Sequence, residues 1–100
     1  TFNLTTATIP AVPVTLQARI AASGTVALSW QDQSSDETEF FIYRAINIDT
    51  AFVLLGKAAS NLTNFTDNFD LRPGNSYFYR IAAANGECLS VTTNAVGVTM

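Results

Sequence analysis

Apolar and polar residues alternate along most of this chain, and the period is two. Val14, Leu16, Ala18 and Ile20 alternate with Thr15, Gln17 and Arg19, a pattern that sends successive side chains to opposite faces of a half-buried strand. After a Ser23-Gly24 turn, Val26, Leu28 and Trp30 repeat it against Thr25, Ala27 and Ser29. From Glu39 to Ala45, Phe40 and Ile42 share one face and Phe41 and Tyr43 the other. Phe52 to Ala58 predicts a further strand, weakened by Gly56, and Leu62, Phe65 and Thr66 mark another. The longest alternation starts at Tyr77, where Tyr77, Tyr79, Ile81 and Ala83 oppose Phe78, Arg80, Ala82 and Ala84. Ser90 to Thr99, dense in Thr and Val, predicts the last strand, with Val96 and Val98 inward rather than Ala95 and Gly97.

Turn signals punctuate these stretches. Pro73 suits the second position of a β-turn and Gly74 the positive φ of a type II turn, and Asn85-Gly86 is a hairpin signal. No helical period intervenes, so seven short strands predict an all-β sandwich. Its inward set would be Leu16, Ile20, Val26, Leu28, Trp30, Phe40, Ile42, Phe52, Leu55, Phe65, Leu71, Tyr77, Tyr79 and Ile81.

Four motifs in order sharpen this reading. Leu71 lies six residues before Tyr77 with Pro73-Gly74 between, Val26 to Trp30 reads Val-Ala-Leu-Ser-Trp, and Asp36 to Arg44 reads Asp-Glu-Thr-Glu-Phe-Phe-Ile-Tyr-Arg. With the closing Thr- and Val-rich strand, these resemble a fibronectin type III domain, similar to the bacterial members found in multidomain secreted or cell-surface proteins. Glu39 stands where those members commonly have Gly, and one residue more separates Phe65 from Leu71. The resemblance covers about Pro13 to Thr99 and implies a seven-stranded immunoglobulin-like sandwich, with strands A, B, C, C′, E, F and G. Trp30, Leu71, Pro73, Gly74 and Tyr77 would define the fold, Trp30 in the core and the Tyr77 phenol over Leu71 with its hydroxyl returning to nearby backbone. It also implies a non-catalytic spacer or protein-interaction module, extracellular or at the cell surface, whose partners are neighbouring domains of the same polypeptide. Residues 1–11 then read as a linker or the tail of a preceding module, and 12–100 as the domain.

Composition narrows the function classes. One hundred residues suit one core, and 48% hydrophobic against 13% charged residues excludes disorder. A net charge of −3, with only five scattered cations, excludes nucleic acid as a partner. No basic run precedes an apolar core and no stretch nears 18 apolar residues, so neither a signal peptide nor a membrane span is expected. The single cysteine, Cys88, allows no internal disulfide and reads as a reduced thiol where the last strand begins or, less simply, as a crosslinking site. Three Asn-x-Thr sequons, at Asn3, Asn61 and Asn64, matter only in a eukaryotic source.

With no His, histidine catalysis and His-rich metal sites are excluded. No Gly-x-Ser-x-Gly elbow is present. Asp32, Asp36, Glu37 and Glu39 fall in or beside the B–C loop and Asp67 and Asp70 at the other end, so they do not converge as a catalytic pair. The acidic loop matches no Ca²⁺ ligand spacing, and neither cofactor nor metal is expected. Phe41, Tyr43, Phe78 and Arg80 all project from the outer side of strands C and F. One reading makes them a docking face for an adjacent domain, a protein or a sugar ring. The other makes them ordinary cross-strand pairs that stabilise the sheet. A dedicated carbohydrate- or protein-binding domain, using this face or the B–C and F–G loops, is therefore the alternative to the spacer.

Overall fold

The period-two stretches pair into two antiparallel sheets. A computed structural model describes residues 13–21, 24–31, 38–48, 50–59, 62–85, 88–90, 92–93 and 95–100. The first sheet joins β1 (Val14–Ala21), β2 (Thr25–Gln31) and β5 (Asn64–Asp67) in the order β1-β2-β5. The second joins β4 (Val53–Ala59), β3 (Glu39–Ile46) and β6 (Ser76–Asn85), and β6 is bordered on its other side by β7 (Cys88–Leu89) and β8 (Val96–Thr99). Residues 1–11, the Asp32, Asp36 and Glu37 part of the B–C loop and the Cys88 side chain lie outside the described residues.

β7 and β8 are two pieces of the seventh strand, which the sequence predicts as unbroken from Ser90 to Thr99. At the break, side-chain hydroxyls join the backbone bonds that Ser90 and Thr93 make to Ala83 and Ile81. Ser90 Oγ accepts from the Ala83 N–H at 2.9 Å and Thr93 Oγ1 from the Ile81 N–H at 3.1 Å. Side-chain oxygens of Ser and Thr offer backbone donors such an alternative, and here they satisfy β6 where regular pairing lapses.

The core forms between the sheets from one side of each alternation. Val26, Leu28, Phe40, Ile42, Tyr77, Tyr79 and Ile81 are at most 2% exposed. Trp30 meets Phe40 edge to face, centroids 5.3 Å apart at 62°, an arrangement aromatic pairs favour. Val96 and Val98 pack against this cluster, as their parity requires. Two residues expected inward are not in it. Ile20 is 47% exposed, because it sits at the end of β1, on the rim of the sandwich. Phe52 precedes β4 and lies on the outer face, under the Arg80 guanidinium. Glu39 starts β3 opposite Ala59 and Ala84, ordinary strand geometry that has no need of the Gly usual there.

The turn into β6 ties the last residue of the chain to the fold. Tyr77 Oη accepts from the Arg72 N–H at 2.7 Å and donates to the Asp70 carbonyl at 3.4 Å. Gly74 takes φ 86°, and the Asn75 N–H closes the turn on the Arg72 carbonyl at 3.3 Å. Met100 then exchanges backbone hydrogen bonds with Gly74 and Asn75, at 3.1 and 2.9 Å. Asp70, just before this corner, is itself left-handed at φ 52°, a conformation Asp tolerates better than most residues.

Candidate functional site

β3 and β6 carry the outer-face residues in a fixed register. Tyr43 is opposite Arg80, Phe41 opposite Ala82 and Phe78 opposite Ala45. Phe41 and Phe78 are thus four rungs apart, about 13 Å along the strands. Each is covered separately. The Lys57 ammonium lies 4.9 Å from the Phe41 ring centroid. Phe78 rests on Gly97, where a Cβ would come within 2.8 Å of two ring atoms. Phe41 and Phe78 therefore stand apart, the Tyr43–Arg80 rung lies midway between them on the same face, and all four are half-buried.

Tyr43 and Arg80 do share a site, and its third member is Phe52. The Arg80 guanidinium sits 5.0 Å from the Phe52 ring centroid. Its Nη1 donates to Thr92 Oγ1 and to the Thr93 carbonyl, both at 3.3 Å. Arg80 Nε is sealed from solvent with no hydrogen-bond partner among the described residues. No ion pair joins Arg80 to a described carboxylate either. Tyr43, Thr50, Phe52, Arg80 and Thr92 line a shallow depression of about 470 Å³. Thr50 and Thr92 arrive from connecting segments, whose paths no alternation dictates.

On the inner face the same sheet holds a buried charge that the sequence reading counted only as one scattered cation. Arg44 follows Phe40 and Ile42 at even spacing and so points into the sandwich, where it is buried. Its Nη1 donates to Asp67 Oδ2 at 2.9 Å and to the Phe69 carbonyl at 2.7 Å. Tyr79 Oη donates to the same Oδ2 at 2.6 Å, and the Phe69 N–H donates to Oδ1 at 3.0 Å. The guanidinium also lies 5.4 Å from the Tyr77 ring and 5.6 Å from that of Phe69. Burial, then the hydrogen bond to Asp67, pushes the Tyr79 phenol well above its ordinary pKa. It remains a donor. This network bridges β3 and β6 of one sheet to β5 of the other.

Exposed apolar side chains gather at one pole. β3, β5 and β8 end there, and β4 and β6 begin there, as the pairs Arg44 with Val53, Ile46 with Tyr77 and Ser76 with Thr99 require. Ile46, Ile48, Val53 and Phe69 are all exposed at this end, and Ile20 at the end of β1 joins them. Val53 and Phe69 are the most open, at 66% and 65%. Among the described residues no group of three or more His, Cys, Asp or Glu could hold a metal ion. No helix there is long and apolar enough to cross a membrane.

Two antiparallel sheets in this order, a Trp in β2 and a tyrosine corner before β6 define a fibronectin type III fold. Solved structures agree. The chain is similar to a titin fragment (TM-score 0.76, 21% identity over 91% of this chain and 32% of that one). It is also similar to the twitchin kinase region from C. elegans (0.77, 24%, 92% and 17%). An Fn3-like protein from Clostridium thermocellum matches at TM-score 0.75 and 21% identity, over 90% of this chain and 92% of that one. At such identities the likeness is one of fold. The chain spans a third or less of the titin and twitchin chains, in which the fold is one unit of several. No protein-family model matches the sequence, and no curated protein matches it significantly.

Proposed function

We propose that this chain is a non-catalytic module of a larger polypeptide, spacing neighbouring domains and packing against one of them through its apolar pole. The observation that carries this reading is the grouping of Ile20, Ile46, Ile48, Val53 and Phe69 at one end. Exposed apolar side chains contiguous over one surface mark contact sites. The corner bonds between Met100 and Gly74 and Asn75 hold the end of β8 at that same pole, so a neighbouring domain joined beyond β8 would meet this surface. The non-catalytic part is supported by the absence of His and by the engagement of Asp67 and Asp70. Asp67 is committed to Arg44 and Tyr79, and Asp70 pairs with Arg72 at the surface. The resemblance of Asp36 to Arg44 to the bacterial members supports a secreted or cell-surface setting.

The test is a melt of the module alone and within its parent polypeptide. The module should melt higher in the parent, and Ile48→Ser with Val53→Thr should erase that excess while leaving the isolated module unchanged. Equal melting in both contexts would remove the docking role.

A further inference from the structure

We propose that the depression on the outer face of the five-stranded sheet binds a single uronate sugar residue, its carboxylate on Arg80 and its ring against Tyr43. The site is independent of the apolar pole and stands or falls apart from it. Arg80 is the cation that the fold prepares. Phe52 lies beneath it at 5.0 Å and Thr92 and Thr93 hold Nη1, so its orientation is set before any ligand arrives. No described carboxylate neutralises it. A planar guanidinium held this way suits the paired oxygens of a carboxylate.

The rest of the lining argues for a sugar as the body that bears this carboxylate. Tyr43 stands directly across from Arg80 on β3, a strand paired on both sides. Rigid strands place such a pair more reproducibly than loops. An aromatic ring beside a cation accommodates the C–H face of a pyranose, while the Thr50 and Thr92 hydroxyls at the rim suit its hydroxyl groups. The depression, about 470 Å³, falls in the range of small-ligand sites. An acidic peptide fits less well. It would call for several cations, yet the nearest other one described on this face, Lys57, is engaged with Phe41. The net charge of −3 further repels polyanions.

The experiment is an amide NMR titration of the labelled chain with sodium glucuronate, with glucose and sodium acetate matched for ionic strength. Glucuronate should give saturable shifts at Thr50, Phe52, Arg80 and Thr92, with glucose weaker by at least about tenfold, as loss of a charged hydrogen-bonding partner implies. Arg80→Gln should abolish the response and Arg80→Lys restore part of it. Tyr43→Leu, which keeps an apolar strand residue and the Arg80 charge, should also weaken it. Undisturbed Trp30 and Tyr77 signals would certify that each variant is folded. Equal shifts with acetate or with glucose would overturn the proposal, as would a response that survives Arg80→Gln. Tighter binding of a Glu-rich peptide at the same amides would overturn it in favour of a peptide site.

Discussion

Arg44 and Arg80 lie on neighbouring strands of one sheet, on opposite faces, and their surroundings differ in kind. Arg44 is enclosed between the sheets, and everything it needs is supplied from within: a carboxylate, a carbonyl and two aromatic rings. Arg80 is positioned more lightly, by Phe52, Thr92 and Thr93, and receives no described counter-charge. Burial of an ion pair costs much of what its attraction returns, so the Arg44 pair specifies the fold more than it strengthens it. A positioned but uncompensated cation is instead available to something outside.

Breaking the inner pair should have the largest effect. Arg44→Gln leaves Asp67 buried without its charge partner, and losing one member of such a pair costs about 3–5 kcal/mol. Denaturant unfolding of the variant should show that loss as a lower midpoint. The paired replacement Arg44→Met with Asp67→Leu removes both charges together and should recover most of the stability. If the double variant is as unstable as the single one, the cost lies in packing and the network is not a charge device.

Tyr79→Phe removes the third member of the network. A hydrogen bond to a charged acceptor contributes about 1.5–3 kcal/mol, and the variant should lose that much near neutrality. The loss has a pH signature. The Tyr79 pKa is raised in the folded state, chiefly by burial and then by Asp67. Its contribution is therefore complete below about pH 10, where the unfolded phenol begins to ionise. Above that it falls by about 1.4 kcal/mol per pH unit until the folded phenol ionises too. Tyr79→Phe lacks this slope, so the stability gap between parent and variant should hold up to about pH 10 and narrow by about 1.4 kcal/mol by pH 11. A constant gap would mean the phenol is not isolated as described.

The outer face offers a steric counterpart in Gly97, against which Phe78 lies. Gly97→Ala would place a Cβ 2.8 Å from Phe78 Cδ1 and Cε1, and overpacking of this kind costs about 1–3 kcal/mol. If the melt is unchanged, Phe78 is free to move aside and its half-burial reflects no tight contact.

How far all this is legible from the sequence follows from how each feature is encoded. Strand faces are written as parity, so Trp30, Phe40, Tyr77 and Ile81 are readable, and the corner is written as a fixed interval from Leu71 to Tyr77. Arg44 and Asp67 carry the same signal, each two residues beyond an inward aromatic or aliphatic residue, Ile42 and Phe65. Reading charges as surface by default hides it. Phe52 escapes parity because it precedes β4, and a register shift between Ile42 and Tyr43 offsets the pairing of that strand. Thr50 and Thr92 belong to connections, and Ser90 and Thr93 lie at the break in a strand that composition alone would continue.

The smallest effect should come from Arg80→Gln, and that smallness is what separates the two arginines. Arg80 is half-buried and takes part in no described ion pair, so its loss strands no buried carboxylate. What disappears is a stack on Phe52 and two long hydrogen bonds at 3.3 Å, and exposed cation–aromatic contacts contribute only about 0.5–1 kcal/mol. Gln keeps part of the stem and a donor for the Thr93 carbonyl. Unfolding midpoints of Arg80→Gln and Arg44→Gln, measured side by side, should therefore differ severalfold in their displacement from the parent. Equal displacements would mean that Arg80 is a structural residue in the same sense as Arg44, and the face it occupies would lose its claim to be held ready for a ligand.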